Sequence, residues 1–226
     1  MSDTVRTVAV NARWEVLRLR RSTRVWLLII PPVAGPIGSA VADAYLRIPS
    51  VGTALVLGLL ITGGLAGLVL LDLVALAVGE DLGLRAHLTF LTLPQSAVSA
   101  LAGRLLVALA GPIAAFGVGA TAIGVLGGAL VTPQPSAPPI LDPTHLAWGI
   151  AAFLLFLGGV TAAASVVSRT SAQGLVAGVL AGVVVAGLTG YLLAAHQLTA
   201  LLPSALAVAG LGAVGWTLYR YSILEA

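Results

Sequence analysis

Cysteine and lysine are both missing from this 226-residue chain. Without Cys there is no disulfide framework, no thiolate nucleophile and no Cys-ligated metal, and the redox compartment leaves no trace. Without Lys, no P-loop can supply the amine that reaches the β- and γ-phosphates, so the chain is not a conventional nucleotide hydrolase. Neither G-x-S-x-G nor H-E-x-x-H occurs, and no other catalytic constellation marks the chain as an enzyme. His87, His145 and His196 are scattered over different loops and make no metal set.

Charge is scarce too. Only 8% of residues are charged and 59% are hydrophobic, against about 25% and about 45–50% in soluble domains. With a mean hydropathy of +1.08, the chain cannot cover itself with polar surface in water. One compact membrane domain, residues 1–226, is expected. The net charge of +3 does not point to nucleic acid, because the arginines sit beside apolar segments rather than in a free tail.

A helix needs roughly 20 apolar residues to cross a hydrocarbon core of about 30 Å. Six segments qualify, at about 25–45, 51–79, 105–131, 145–168, 172–194 and 199–219. They lack period-2 alternation and are far longer than a barrel strand, and a lipid-exposed backbone must satisfy its own amides, so the expected fold is an all-α polytopic membrane protein. Ten of the eleven arginines precede span one, lie between spans two and three, or follow spans four and six, leaving only Arg47 on the other face. That positive-inside bias puts the N- and C-termini in the cytoplasm. Ala40-Val41-Ala42 and Arg20-Arg21 mimic a cleaved leader, but its length and the presence of Trp14 and Glu15 favour a retained span. The proline-rich stretch 132–144 reads as a stiff outer connector, too small for a folded ectodomain.

Residues 8–22 form an expected amphipathic interfacial helix, with Val10, Trp14 and Leu17 on one face and Arg20 and Arg21 free to snorkel toward headgroups. It serves as a topology anchor, a partner contact or both. Asp72 is the one acid deep inside a span; either it lines a pathway, or it hydrogen-bonds a hydroxyl such as Thr121, Thr161 or Ser165. In span five, Gly174, Gly178 and Gly182 recur at steps of four. Such a stripe admits another helix closely, from the same protomer or from a second copy.

Between spans two and three, residues 80–96 begin with Glu80-Asp81-Leu82-Gly83. They continue with Leu84, Leu88 and Leu91 on one short helical face and turn at Pro94. This reads as a cytoplasmic docking segment. An interfacial helix, two spans, an acidic pair, then Leu91-Thr92-Leu93-Pro94-Gln95-Ser96 leading to Ala102-Gly103-Arg104, resembles the permease subunits of type-2 ATP-binding-cassette (ABC) exporters. The Gly-Thr that often follows the acidic pair is replaced by Gly83-Leu84-Arg85, and the connection 195–200 is too short for re-entrant outer helices.

The resemblance implies a half-transporter in the plasma membrane of a prokaryote. It would pair with a second copy or a related permease, and dock cytoplasmic ABC ATPase subunits through Glu80, Asp81, Leu84, Leu88, Leu91 and Pro94. ATP and Mg would bind in that partner and no cofactor in this chain. A secondary transporter or channel using Asp72 as an ion or proton site is the alternative, and a non-transporting membrane scaffold a third.

Overall fold

A computed structural model describes residues 3–46, 51–83, 97–130, 143–194 and 201–225. Among these, every regular element is a helix: α1 (Asp3–Arg21), a 3-10 turn (Thr23–Leu28), α2 (Ile30–Leu46), α3 (Val51–Gly83), α4 (Ala97–Leu130), α5 (Pro143–Ser168), α6 (Ser171–Ala194) and α7 (Leu201–Glu225). Six stretches are long and apolar enough to cross a membrane, Thr23–Val41 through the 3-10 turn into α2, then Ala54–Gly79, Val98–Leu126, His145–Ser168, Ser171–Thr189 and Leu202–Ile223. The chain thus has the build of a multi-pass helical membrane protein.

Three boundaries differ from the sequence expectation. Span one is interrupted: the 3-10 turn carries the chain from α1 into α2, which starts at Ile30 with Pro31 and Pro32 in its first turn, where amide hydrogens have no helical acceptor anyway. α3 does not stop at Gly79 but continues to Gly83, so Glu80 and Asp81 lie on its final turn. α4 begins at Ala97 rather than near Leu105, so Ala102-Gly103-Arg104 is helical. Each of α3 and α4 exceeds 30 residues and rises about 50 Å, more than a hydrocarbon core of about 30 Å. The Glu80-Asp81 end of α3 is polar and can continue its backbone bonding outside lipid, whereas the start of α4 before Arg104 is mostly apolar.

α3 is the central post, packed against α2, α4, α5 and α6. Leu70, Val74 and Val78 are fully buried along it, with Leu101 and Leu105 of α4 and Leu154 and Ala162 of α5 around them. Small residues let these helices approach, since lipid provides little hydrophobic drive between them. A Cβ at Gly35 of α2 would overlap Thr62 Oγ1 of α3, and one at Gly119 of α4 would meet Thr62 Cγ2 at 2.6 Å. The buried Thr62 hydroxyl donates to Gly58 O at 2.8 Å, which hides its polarity inside its own helix. α5 and α7 cross where a Cβ at Gly210 would sit 2.7 Å from Leu155 O.

Outer faces stay apolar. On α6, Val176, Leu180, Val183, Val184 and Leu188 are each at least half exposed. A helix apolar on all sides and exposed on one suits lipid rather than water.

Candidate functional site

The chemistry-bearing side chains gather where α1, the 3-10 turn, α3 and α4 meet. Ser22 makes the bend: its Oγ donates to Leu19 O at 3.0 Å, closing α1, and accepts from Arg24 N–H at 3.3 Å, opening the 3-10 turn. This sets Arg24 opposite α3, where its Nε lies 3.7 Å from Asp72 Oδ2. Asp72 is therefore partnered by a guanidinium rather than by an intramembrane hydroxyl. The hydroxyls considered for it are otherwise engaged or distant in role: Thr121 donates to Gly117 O and Thr161 to Leu157 O, each at 2.8 Å. Ser165 Oγ is buried without a hydrogen-bond partner and lies against Gly174.

A second pair locks α1 to α4. Glu15 Oε2 lies 3.8 Å from Arg104 Nε and 3.7 Å from Arg18 Nη1. The Glu15 and Arg104 side chains are only 13% and 19% exposed, so neither charge is fully hydrated and each needs the other. The close approach depends on Gly103: a Cβ there would meet Ala12 N and Asn11 Cβ, both at 2.8 Å. Between the two pairs lies a cavity of about 40 Å³ lined by Glu15, Arg18, Ser22, Arg24, Leu73 and Leu76 among others, room enough for an ordered water among charged groups.

The same end of the bundle holds the α5–α6 turn. A Cβ at Gly79 of α3 would overlap the Ser171 backbone at the start of α6. Arg169 in that turn adopts φ 57°, the left-handed geometry that often ends a helix. Ser168 Oγ donates to Ala164 O at 2.7 Å, and Thr170 Oγ1 accepts from Gln173 N–H at 3.4 Å. Arg18, Arg24, Arg104 and Arg169 thus lie toward one end of the molecule, on α1, the 3-10 turn, α4 and the α5–α6 turn.

Of the other residues singled out from sequence, Trp14 and Leu17 are exposed on α1, as are Arg20 and Arg21. α1 turns the opposite side, with Asn11, Ala12 and Glu15, toward α4. Gly174 and Gly178 face inward, against Ser165 and Thr161 of α5, and Gly178 also against Leu71 of α3; a Cβ at Gly182 would sit 3.3 Å from Leu157 Cδ2, tighter than an ordinary contact. The glycine stripe is therefore a seam within the protomer. The side chains of Glu80 and Asp81, and the whole of 84–96 with Leu84, Leu88, Leu91 and Pro94, lie outside the described residues, as do His87 and His196.

Sequence reasoning missed both interhelical ion pairs. The signal was scarcity: with eight acids in the chain, Glu15 and Asp72 each had to find a cation near the membrane, and Arg24 and Arg104 stand at the starts of spans one and three, on either side of the span that carries Asp72. Compared with known proteins, the chain matches no family model, no curated protein and no solved structure.

Proposed function

We propose that this chain is the membrane-spanning permease subunit of an ABC exporter, driven by a separate ATPase that docks through residues 80–96. One observation supports the reading most. The two helices that bracket the docking segment, α3 and α4, are tied to each other through the 3-10 turn and α1 by Arg24–Asp72 and Glu15–Arg104. A push on that segment is then delivered to a braced unit of α1, the 3-10 turn, α3 and α4, not to a loose loop.

Nucleotide binding would draw two partner ATPases together, and their differential affinity for two permease conformations would shift an inward-open to outward-open equilibrium. ATP and Mg belong to the partner. The permease operates as a homodimer, or pairs with a related permease, in a prokaryotic plasma membrane. Because the glycine stripe of α6 is used inside the protomer, the second copy meets another surface.

Pairing of Asp72 with Arg24 supports a bracing role for this carboxylate over an ion-carrying one. The experiment is affinity purification of the tagged chain from its native membranes with assay for bound ATPase. Retention by the wild type and loss in a folded Leu88→Glu, Leu91→Glu variant is the expected result. An intact complex in that variant, or no ATPase with the wild type, overturns the proposal. In liposomes, Asp72→Asn that abolishes ion-gradient-driven flux would favour the carrier instead.

A further inference from the structure

On the other flank of α1 from the ion pairs runs an open groove of about 600 Å³, within the range of about 300–1,000 Å³ typical of small-molecule sites. Its walls come from three elements: Val16, Leu19 and Arg20 of α1, Val25 and Leu28 of the 3-10 turn, and Val107, Ala110 and Gly111 of α4. Every wall is apolar except Arg20.

Arg20 shares with Arg13 and Arg21 of α1 the lack of an ion pair among the described residues, and of these three it is the one that lines the groove. Arg18, Arg24 and Arg104 face the acidic side chains of Glu15 and Asp72, whereas Arg20 has no ion-pair partner among the described residues. An unpaired guanidinium at the head of an apolar trough, on a helix flanking six membrane-length helices, calls for an anion that carries a hydrocarbon tail. Arg binds phosphate through a planar fork of donors, and its stem covers apolar surface while the head stays hydrated. The trough also runs in a fitting direction: from Val25 to Leu28 and from Val107 to Gly111 the chain proceeds away from the arginine-rich end, so a tail entering beside Arg20 passes inward along both walls.

We propose that this groove is a binding site for an anionic phospholipid, with the headgroup phosphate on Arg20 and one acyl chain along Val25, Leu28, Val107 and Ala110. The lipid would wedge α1 against the start of spans one and three, and its occupancy would set how firmly α1 is held. This goes beyond the exporter reading and does not depend on it.

The absence of Cys makes the test clean. Val107→Cys carries a bimane fluorophore in the groove, and Val183→Cys, on the exposed face of α6, carries one as the bulk-lipid control. The full chain is reconstituted in phosphatidylcholine vesicles containing acyl-brominated phosphatidylglycerol or acyl-brominated phosphatidylcholine. At Val107→Cys, quenching should favour phosphatidylglycerol by on the order of five-fold, the value of one arginine near a headgroup, with no preference at Val183→Cys. Arg20→Gln should remove the preference while leaving quenching by phosphatidylcholine, and Ala110→Phe, which fills the groove without altering charge, should reduce quenching by both. Equal preference at the two labelled positions, or a preference that survives Arg20→Gln, overturns the proposal. So does an unquenched Val107 probe, which would mean that protein rather than lipid fills the trough.

Discussion

Glu15 and Asp72 carry most of the polar design, and they do so in different surroundings. The Arg24 and Asp72 side chains are each about two-fifths exposed, 43% and 38%, but both lie within membrane-length stretches, where that exposure is not to bulk water and the pair is not screened as a surface pair would be. Glu15–Arg104 is more enclosed, and removing one member leaves a poorly hydrated charge behind. Glu15→Ala should therefore destabilise the protein by about 2 kcal/mol, in the range of charge-assisted interactions. Thermal unfolding in detergent measures the loss, and an unchanged melting temperature would contradict the assignment. A charge swap, Arg24→Asp with Asp72→Arg, should recover most of the loss caused by either single reversal. At Arg169, the positive φ means that Arg169→Gly should raise stability by about 0.5–1 kcal/mol.

Among the elements, α6 was readable in kind but not in partner. Its glycines at steps of four promised a close helix, yet spacing alone does not distinguish α5 of the same chain from α6 of another. The decision rests on Thr161 and Ser165, which fill the space that side chains on Gly178 and Gly174 would need. Gly178→Val should cost about 1–3 kcal/mol through overpacking and lower the melting temperature of the protein. A variant that dissociated dimers at unchanged monomer stability would instead place the seam between copies. α1 shows the reverse case. Its apolar face, Trp14 and Leu17, was plain from periodicity, whereas its docking on α4 depends on Gly103 and Glu15, whose roles appear only once α4 is known to begin eight residues before the expected span.

At the scale of the whole molecule, the six membrane-length helices were legible because a hydrocarbon core imposes a length and a composition that few other folds satisfy. Element ends were less so: the helices of spans two and six run on into polar sequence, where no lipid enforces a limit, and that of span three starts eight residues early through mostly apolar sequence. Packing around α3 depends on pairwise fits among near-identical Leu, Val, Ala and Gly residues, and one-dimensional pattern does not specify which fits which. The gathering of arginines at one end, first a count along the chain, is matched by the ion pairs and by the approach of Gly79 to Ser171.

Docking of a soluble motor requires that this end, with residues 80–96, face the cytoplasm. Single cysteines at Thr92 and Ser136, introduced into a chain that has none, can be probed with a membrane-impermeant maleimide in intact cells and in inverted vesicles. Thr92→Cys should react only in inverted vesicles and Ser136→Cys only in intact cells. Labelling of Thr92→Cys from outside intact cells would contradict the orientation and the exporter mechanism built on it.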